Sequence, residues 1–505
     1  MSTDATGGTG GRTPALSYSF AKRHGALVAG MEEGGALRVQ HRSGVRLSVL
    51  LELKRRFRRE LRLTELAPEA FEEMLRRTFE AGSSQAMEEM ESLDDNLDLE
   101  TAAEQIGEPR DLAESADDAP IIRLINALVT EAVKKGASDI HLEPYEDCLA
   151  VRFRVDGVLR KVLEPKRALA PLIASRVKVM ARLDIAEKRL PQDGRISLRI
   201  AGRPVDVRVS TLPTGHGERV VMRLLDKQAG RLSLEDLGLL PVMRESMDRL
   251  IHRPNGIILV TGPTGSGKTT TLYAVLRRLN ETSRNIMTVE DPIEYDLEGI
   301  GQTHVNTKVD LTFARGLRAI LRQDPDIVMV GEIRDVETAR IAVQASLTGH
   351  LVLSTLHTNS AIGAVARLKD MGVEPYLLSS SLAAVLAQRL VRLLCEACKE
   401  PRQVSGQEWE DLALNGGPWS ERPEKFFRPR GCDVCLGSGF SGRGGIYELV
   451  PIDDTLKGLI HDNAGERELT AHARTFSTSL RDDALRLLHS GRTTLEEILR
   501  VTRED

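Results

Sequence analysis

The chain has 505 residues, of which 41% are hydrophobic and 28% are charged, and its formal net charge at pH 7 is −5. These figures indicate a globular protein of about two to four domains, because one hydrophobic core does not serve so long a chain. They argue against a nonspecific nucleic-acid binder with a basic surface, and no apolar run reaches the roughly eighteen residues of a transmembrane helix. Since the first residues lack the basic and apolar regions of a signal peptide, we expect a cytoplasmic protein.

Residues 1–95 are predicted to form a small N-terminal domain. Its first fifteen residues are rich in Gly and Thr, which is typical of disorder. From Ser17 to Arg77, strand-like runs alternate with amphipathic helix patterns. We interpret the basic run Lys54–Arg59 as a solvated helix face, with a surface that attracts acidic lipid as the alternative.

An acidic linker is predicted at residues 96–118. The wider stretch from Glu88 to Asp118 holds thirteen acidic residues and one basic residue, Arg110. Like charges repel one another and there is little apolar surface to bury, so this stretch is a poor core builder.

Residues 119–230 are predicted to form a second, α+β domain. Helical spacing runs from Ile121 to Val133. Alternating runs then predict an antiparallel sheet whose polar face carries Arg208 and Arg223. The predicted strands are Leu149–Val155, Arg195–Ile200, Pro204–Ser210 and Arg219–Leu224.

Residues 231–505 are predicted to form a nucleotide-binding domain. A helical connector is expected from Leu232 to Ile251, followed by βα alternation to about Leu390 and, after a cysteine-rich region, by helices to the end. The apolar run Ile257–Val260 predicts a buried strand, and Thr270–Leu279 a helix.

Between this strand and this helix lies the phosphate-binding pattern G-x-x-x-x-G-K-[ST]. Its glycines let backbone N–H groups surround a phosphate at a helix N-terminus. We expect Lys268 to contact the β- and γ-phosphates of ATP, and the Thr269 hydroxyl to ligate Mg²⁺. The loop consists of Gly262, Pro263, Thr264, Gly265, Ser266, Gly267, Lys268 and Thr269.

Three further strand ends carry polar residues that we expect at the same edge of a parallel sheet. The run Asp326–Val330 leads to Gly331 and Glu332, where a phosphate-loop enzyme places its Mg²⁺-facing acid; with glycine at the usual aspartate position, contact through water is expected. The box Thr288–Tyr295 contains Glu294, and a third run is followed by His357, a residue type able to sense the γ-phosphate. Glu294 and Glu332 both remain candidates for the general base; we assign water positioning to Glu294 and Mg²⁺ to Glu332.

Two C-x₂-C pairs predict a metal site in a subdomain at about residues 392–440. A large cytosolic chain seldom uses disulfides, and four thiolates are a ligand set that Zn²⁺ prefers. Because four protein ligands leave no open position, we expect a structural ion. The ligands are Cys395, Cys398, Cys432 and Cys435.

This combination of motifs resembles the type II/type IV secretion ATPase superfamily. The motifs are the phosphate loop, the acidic box, the atypical Glu332 strand, the histidine box at 348–359, the four cysteines and the block Arg189–Arg195. The resemblance is closest to the GspE-type assembly ATPases of type II secretion systems. It implies a RecA-like ATPase domain preceded by a smaller, PAS-like sheet domain that closes over ATP and by an N-terminal docking domain. It also implies that Arg208 and Arg223 reach the phosphates, with Arg318 and Arg322 as further arginines of the motor.

The same resemblance implies a homo-hexamer on the cytoplasmic face of the inner membrane. Its N-terminal domain would bind the L-type secretion protein, and its motor would act through the F-type platform protein, so that membrane contact is indirect. The implied function is ATP-driven pseudopilus assembly for protein export. A type IV pilus extension ATPase is the alternative, a DNA translocase is disfavoured by the acidic charge, and a scaffold without turnover is disfavoured by the intact Lys268 and Glu332.

Overall fold

The computed structural model describes residues 21, 24–32, 36–68, 70, 71, 74, 119–200, 203–225, 232–403, 406, 409 and 425–502. The chain forms two compact units, Met1–Asp226 and Lys227–Asp505. The Gly-rich residues 1–15 and the acidic linker 96–118 lie outside the described residues. Within the described part, no helix is long and apolar enough to cross a membrane.

The first unit begins with a three-stranded sheet. Strands β1 and β2 pair antiparallel, whereas β2 and β3 pair parallel and are connected by helix α1. The predicted basic run begins in the last turn of α1, which holds Lys54, Arg55 and Arg56, and continues past the end of the helix to Arg58 and Arg59. The elements are β1 (Ala26–Met31), β2 (Leu37–Arg42), α1 (Leu47–Phe57) and β3 (Leu61–Leu66).

From residue 119 on, the described part of this unit forms a six-stranded antiparallel sheet with two α-helices. Its order is β6-β5-β4-β9-β8-β7, and α2 and α3 pack on one face through Leu128, Phe153, Val177 and Met222. The four predicted strands are confirmed, and β4, β6 and α3 were missed. The elements are α2 (Ala119–Lys134), β4 (Ala137–Pro144), β5 (Leu149–Val155), β6 (Val158–Leu163), α3 (Ala170–Met180), β7 (Gln192–Ile200), β8 (Arg203–Thr214) and β9 (Gly217–Leu225).

The second unit is built on a seven-stranded sheet of order β12-β11-β13-β14-β10-β15-β18. Six strands are parallel, and β18 runs antiparallel to β15. The strands are β10 (Gly256–Thr261), β11 (Ile286–Glu290), β12 (Gly301–His304), β13 (Ile327–Val330), β14 (Leu351–Leu356), β15 (Leu382–Leu394) and β18 (Phe440–Pro451), with a separate pair of β16 (Glu400–Arg402) and β17 (Phe426–Arg428).

Helices cover both faces of this sheet through two hydrophobic clusters that share its strands. The apolar strands are buried on both sides, as is typical of a parallel sheet. The helices are α4 (Pro241–Ile251), α5 (Lys268–Leu279), α6 (Phe313–Ile320), α7 (Val336–Leu347), α8 (Ala361–Asp370), α9 (Pro375–Ser381), α10 (Asp454–His461), α11 (Glu466–Ala473), α12 (Leu480–His489) and α13 (Leu495–Thr502).

Two sequence predictions for this unit need correction. The connector Leu232–Ile251 is helical only from Pro241, because proline is favoured in the first turn and Gly238 before it adopts a φ of 83°. The chain after the cysteine region is not all helical: β18 first returns to the sheet beside β15, so the cysteines lie in an insertion between two neighbouring strands.

Candidate ATP-binding and catalytic site

The phosphate loop lies between β10 and α5, in the predicted strand–loop–helix context. Gly262, Gly265 and Gly267 have φ values of 147°, 79° and 88°, which other residues rarely adopt. At Gly262 an added Cβ would lie 2.3 Å from the Gln388 carbonyl oxygen, so the close approach also requires glycine. The loop is therefore shaped as the sequence predicts.

Lys268 and Ser266 present polar groups to this loop. The Lys268 Nζ donates to the carbonyl oxygens of Gly262 (2.8 Å) and Pro263 (3.1 Å). Burial lowers the pKa of Lys268, against the opposing effect of the Glu332 charge. Among the described residues, the buried Ser266 Oγ has no hydrogen-bond partner. A phosphate group fits this set, since it supplies acceptors for both side chains.

The ends of four parallel strands meet at the phosphate-loop edge of the sheet. The predicted Glu332 strand is confirmed as β13, between β11 and β14. The Glu332 side chain is 14% exposed; its Oε2 lies 3.6 Å from His357 Nε2, and its Oε1 lies 2.5 Å from Arg334 Nη2. The structure thus brings Lys268, Glu332 and His357 together, as expected, and adds Arg334, which sequence reasoning missed although it stands two residues after the acid.

His357 lies after β14, and its side chain is 51% exposed. Burial and then the charge of Lys268 lower its pKa, although Glu332 opposes the shift. The lowered pKa favours the neutral imidazole, which is able both to donate and to accept a hydrogen bond.

The acidic box begins within β11, which ends at Glu290, and continues into the turn after it. Glu290 is 2% exposed and lies within a hydrogen-bonded cluster. Glu294 is half-buried in the following turn, where its backbone N–H lies 3.4 Å from the Tyr273 hydroxyl. The two acids therefore occupy different environments, which the sequence did not distinguish.

Gln388 is a further residue of the site that sequence reasoning missed. It lies on β15, is 1% exposed, and donates from Nε2 to the Ser266 carbonyl oxygen at 2.7 Å. Its Oε1 accepts from the Thr271 hydroxyl at 2.8 Å. One buried side chain therefore connects the phosphate loop to the first turn of α5.

Arg208 and Arg223 are directly paired across β8 and β9. Their neighbours Val207, Val209 and Met222 point into the core, so the two arginines occupy the opposite, polar face, as predicted. The Arg223 Nε donates to Asp139 Oδ1 at 2.8 Å. In the second unit, Arg318 forms an ion pair with Glu337 at 2.7 Å, and Arg322 donates to the Arg318 carbonyl oxygen.

The four predicted metal ligands form one cluster. Their sulfur atoms all lie within 4.8 Å of one another, and three pairs are separated by 3.7, 3.7 and 3.9 Å. Tetrahedral Zn–S bonds of about 2.3 Å place ligand sulfurs about 3.8 Å apart, so the cluster fits zinc. Burial opposes the thiolate of Cys435, but N–H groups of Cys432 and Gly439 outweigh it and lower the pKa of Cys435 to about 6.

Known proteins are similar in sequence to this chain over almost its whole length. A family model described as type II/IV secretion system protein matches residues 114–500, and one that describes a domain of GSPII protein E matches residues 15–79. The type II secretion system protein E of Pseudomonas aeruginosa is 61% identical over 490 residues, 97% of this chain and 96% of that protein. The type II secretion system ATPase E of Vibrio cholerae is 56% identical, with 97% of each chain covered.

Solved structures share the fold. The pilus retraction motor PilT with bound ADP has a TM-score of 0.52 at 28% identity, over 75% of this chain and 96% of PilT. The ATPase DotB of Legionella pneumophila has a TM-score of 0.56 at 20% identity, over 75% of this chain and 95% of DotB, a likeness of fold alone. With the parallel sheet and the cysteine cluster, these similarities confirm the predicted α/β fold class.

Proposed function

The chain belongs to the type II/IV secretion system protein family, and from this premise we propose that it powers pseudopilus assembly, and with it protein export across the outer membrane. It is an ATPase of the type II secretion system, in agreement with the motifs. The observation that carries the proposal is the meeting of Lys268, Glu332 and His357 at one sheet edge, in a chain that aligns over 97% of its length with the type II secretion system ATPase E of Vibrio cholerae.

Secretion is tested by replacing the E-type protein of a Pseudomonas aeruginosa strain with this chain. The proposal predicts that exoprotein release returns with the wild-type chain and not with Lys268→Ala. The alternative, a type IV pilus extension ATPase, predicts restored pilus extension in a strain lacking its own extension motor. Restored pili without restored secretion would show that the chain is a pilus extension ATPase instead.

In the proposed reaction, Lys268 contacts the β- and γ-phosphates, and Mg²⁺ would be held by the Thr269 hydroxyl and, through water, by Glu332. When bound, Mg²⁺ neutralises charge on the phosphates. Glu294 positions the attacking water, and the neutral His357 senses the γ-phosphate. Support comes from the low exposure of Glu332 and its place beside Lys268.

Arg208 and Arg223 are proposed to complete this site when the smaller domain closes over ATP. Their guanidinium groups suit the charge that builds on the transferring phosphoryl oxygens. Support comes from their direct pairing on one polar face, which places the two residues side by side. Arg223→Gln should lower the hydrolysis rate more than Arg160→Gln, a control on β6, and equal rates would contradict the assignment.

We further propose that the four-cysteine cluster holds structural Zn²⁺. Elemental analysis of protein purified without chelator should give about one zinc per chain. Cys432→Ser should lower that content, whereas Cys148→Ser, which changes the cysteine outside the cluster, should not. Equal zinc content in the two variants would contradict this assignment.

The assembly proposed is a homo-hexamer that contacts the inner membrane through partners. The match of residues 15–79 to a domain of GSPII protein E supports docking of the N-terminal domain on the L-type secretion protein, with the F-type platform protein as the second partner. Full-length tagged chain should capture these proteins from detergent-solubilised membranes and elute as a hexamer with nucleotide. Capture of pilus-system proteins instead would favour the alternative function.

A further inference from the structure

Glu290 is a buried acid to which the proposed reaction gives no role. It ends β11 and is 2% exposed. Its Oε1 accepts from the Thr288 hydroxyl at 2.5 Å and from Gln302 Nε2 at 3.1 Å, and its Oε2 accepts from the Tyr273 hydroxyl. A general base needs a lone pair free to accept a proton from water. Since three donors already occupy this carboxylate, Glu290 is unsuited to act on water itself.

Tyr273 connects this acid to the phosphate-loop helix. It is fully buried on α5, five residues after Lys268. Burial and then the Glu290 charge raise the pKa of Tyr273 far above its ordinary value, so the hydroxyl keeps its proton and donates a hydrogen bond to Glu290. The same oxygen lies 3.4 Å from the N–H of Glu294 and 3.3 Å from Gln302 Nε2.

One hydroxyl therefore contacts both ends of the turn between Glu290 and Glu294. The Glu290 end is further fixed by its own strand and by Gln302 on β12, which also donates to the Tyr295 carbonyl oxygen at 3.3 Å. The turn is thus attached to α5, the helix that begins at Lys268. A small displacement of a water-positioning group costs rate steeply, by up to about 100-fold per ångström.

We infer that Tyr273 and Glu290 are positioning residues that set the place of Glu294 relative to the phosphate loop. The inference rests on the proposed role of Glu294. It assigns the two acids of the box different tasks: Glu294 faces the reaction, and Glu290 holds the turn that carries it.

The test compares full-length Tyr273→Phe, Glu294→Gln and the double variant by single-turnover phosphate release with protein in excess. Tyr273→Phe removes one oxygen and keeps the ring. It should lower the rate about 10- to 100-fold while the Kd of MgADP, from calorimetry, changes less than about threefold. Tyr376→Phe, on an exposed tyrosine of α9, is the matched control and should match the wild type.

Coupling between the two sites separates positioning from general destabilisation. In the Glu294→Gln background the placement of residue 294 has less effect on the rate. Adding Tyr273→Phe to that variant should therefore lower its rate of phosphate release by less than about threefold. Equal rate losses from Tyr273→Phe in both backgrounds, or a wild-type rate in the single variant, would overturn the inference while leaving the role of Glu294 intact. A wild-type rate for Glu294→Gln would overturn both.

Glu290→Gln provides a second test of the inference, which remains possible if Tyr273→Phe does not fold. It keeps an oxygen to accept the Tyr273 hydroxyl and removes the charge. If Glu290 is a positioning residue, Glu290→Gln should lower the rate of phosphate release by no more than about tenfold. If Glu290 were the general base, the same substitution should lower it on the order of 1,000-fold. The larger loss with unchanged MgADP affinity would contradict the inference.

Discussion

Exchanging Glu497 for Gln should destabilise the second unit, because this acid connects the C-terminal helix α13 to β15. Its side chain is fully buried and accepts from Arg392 Nη2 at 2.8 Å and from Arg500 Nη2 at 2.6 Å. The Arg392 backbone N–H adds a third donor at 3.0 Å. Burial opposes the charge, but the hydrogen bonds from Arg500 and Arg392 outweigh it and lower the pKa of Glu497 to about 2.

The size of the effect follows from this pKa. A drop from an ordinary 4.5 to about 2 corresponds to about 3.4 kcal/mol of preference for the charged form. Solvent screens part of it because Arg500 is 55% exposed. We therefore expect Glu497→Gln to lower the free energy of unfolding by about 2–3 kcal/mol, or the thermal midpoint by about 4–8 °C.

Scanning calorimetry of the full chain at pH 7 measures this loss, and Glu496→Gln is the matched control. Glu496 precedes Glu497, is 59% exposed and forms an ion pair with Arg402. An exposed pair contributes at most about 1 kcal/mol, so the control should shift the midpoint by about 2 °C or less. Equal shifts in the two variants would refute the reasoning.

The pH dependence provides a second check on Glu497. A carboxyl whose pKa is lower in the folded state contributes stability that is complete above the unfolded pKa of about 4.5 and is lost as the pH falls toward about 2. The difference between wild type and Glu497→Gln should therefore be constant from about pH 8 to pH 5.5 and narrow below about pH 4.5. A difference that widens on acidification would contradict this account.

Three further outcomes are expected. Glu332→Gln should abolish steady phosphate release while the Kd of MgADP stays within about threefold, since the phosphate loop is untouched; normal hydrolysis would remove Glu332 from the reaction. Gln388→Leu leaves the buried Ser266 carbonyl oxygen without its donor, so the Kd of MgADP should rise about 5- to 50-fold, and an unchanged Kd would show that the loop keeps its shape without it. If the four-cysteine cluster holds Zn²⁺ as proposed, a chelator should lower the thermal midpoint and added Zn²⁺ should restore it, whereas a midpoint insensitive to chelator would argue against a structural ion.

Local patterns were sufficient to predict the phosphate loop and the Glu332 strand. The loop needs glycines at fixed spacing, and a buried parallel strand is a continuous apolar run, so both features appear within a few residues. The four cysteines were recognisable for a similar reason, since each pair presents two ligands from one short turn.

Contacts between distant segments could not be predicted in this way. Gln388 lies more than a hundred residues from the loop it supports, and Tyr273 reaches Glu290 only because α5 and β11 contribute to the same hydrophobic cluster. Strand β18 was missed because its partner β15 is separated from it by the cysteine insertion. The prediction of a helix from Leu232 was wrong because the spaced leucines pack into the core from an irregular segment before Pro241.

Phosphate release by the purified full chain, measured across protein concentration for wild type and Lys268→Ala, tests the central claim most directly. If the proposed homo-hexamer is the active form, the rate of phosphate release should rise more steeply than protein concentration, and Lys268→Ala should abolish that release. Equal release by the two proteins, or none from the wild type at any concentration, would contradict the account.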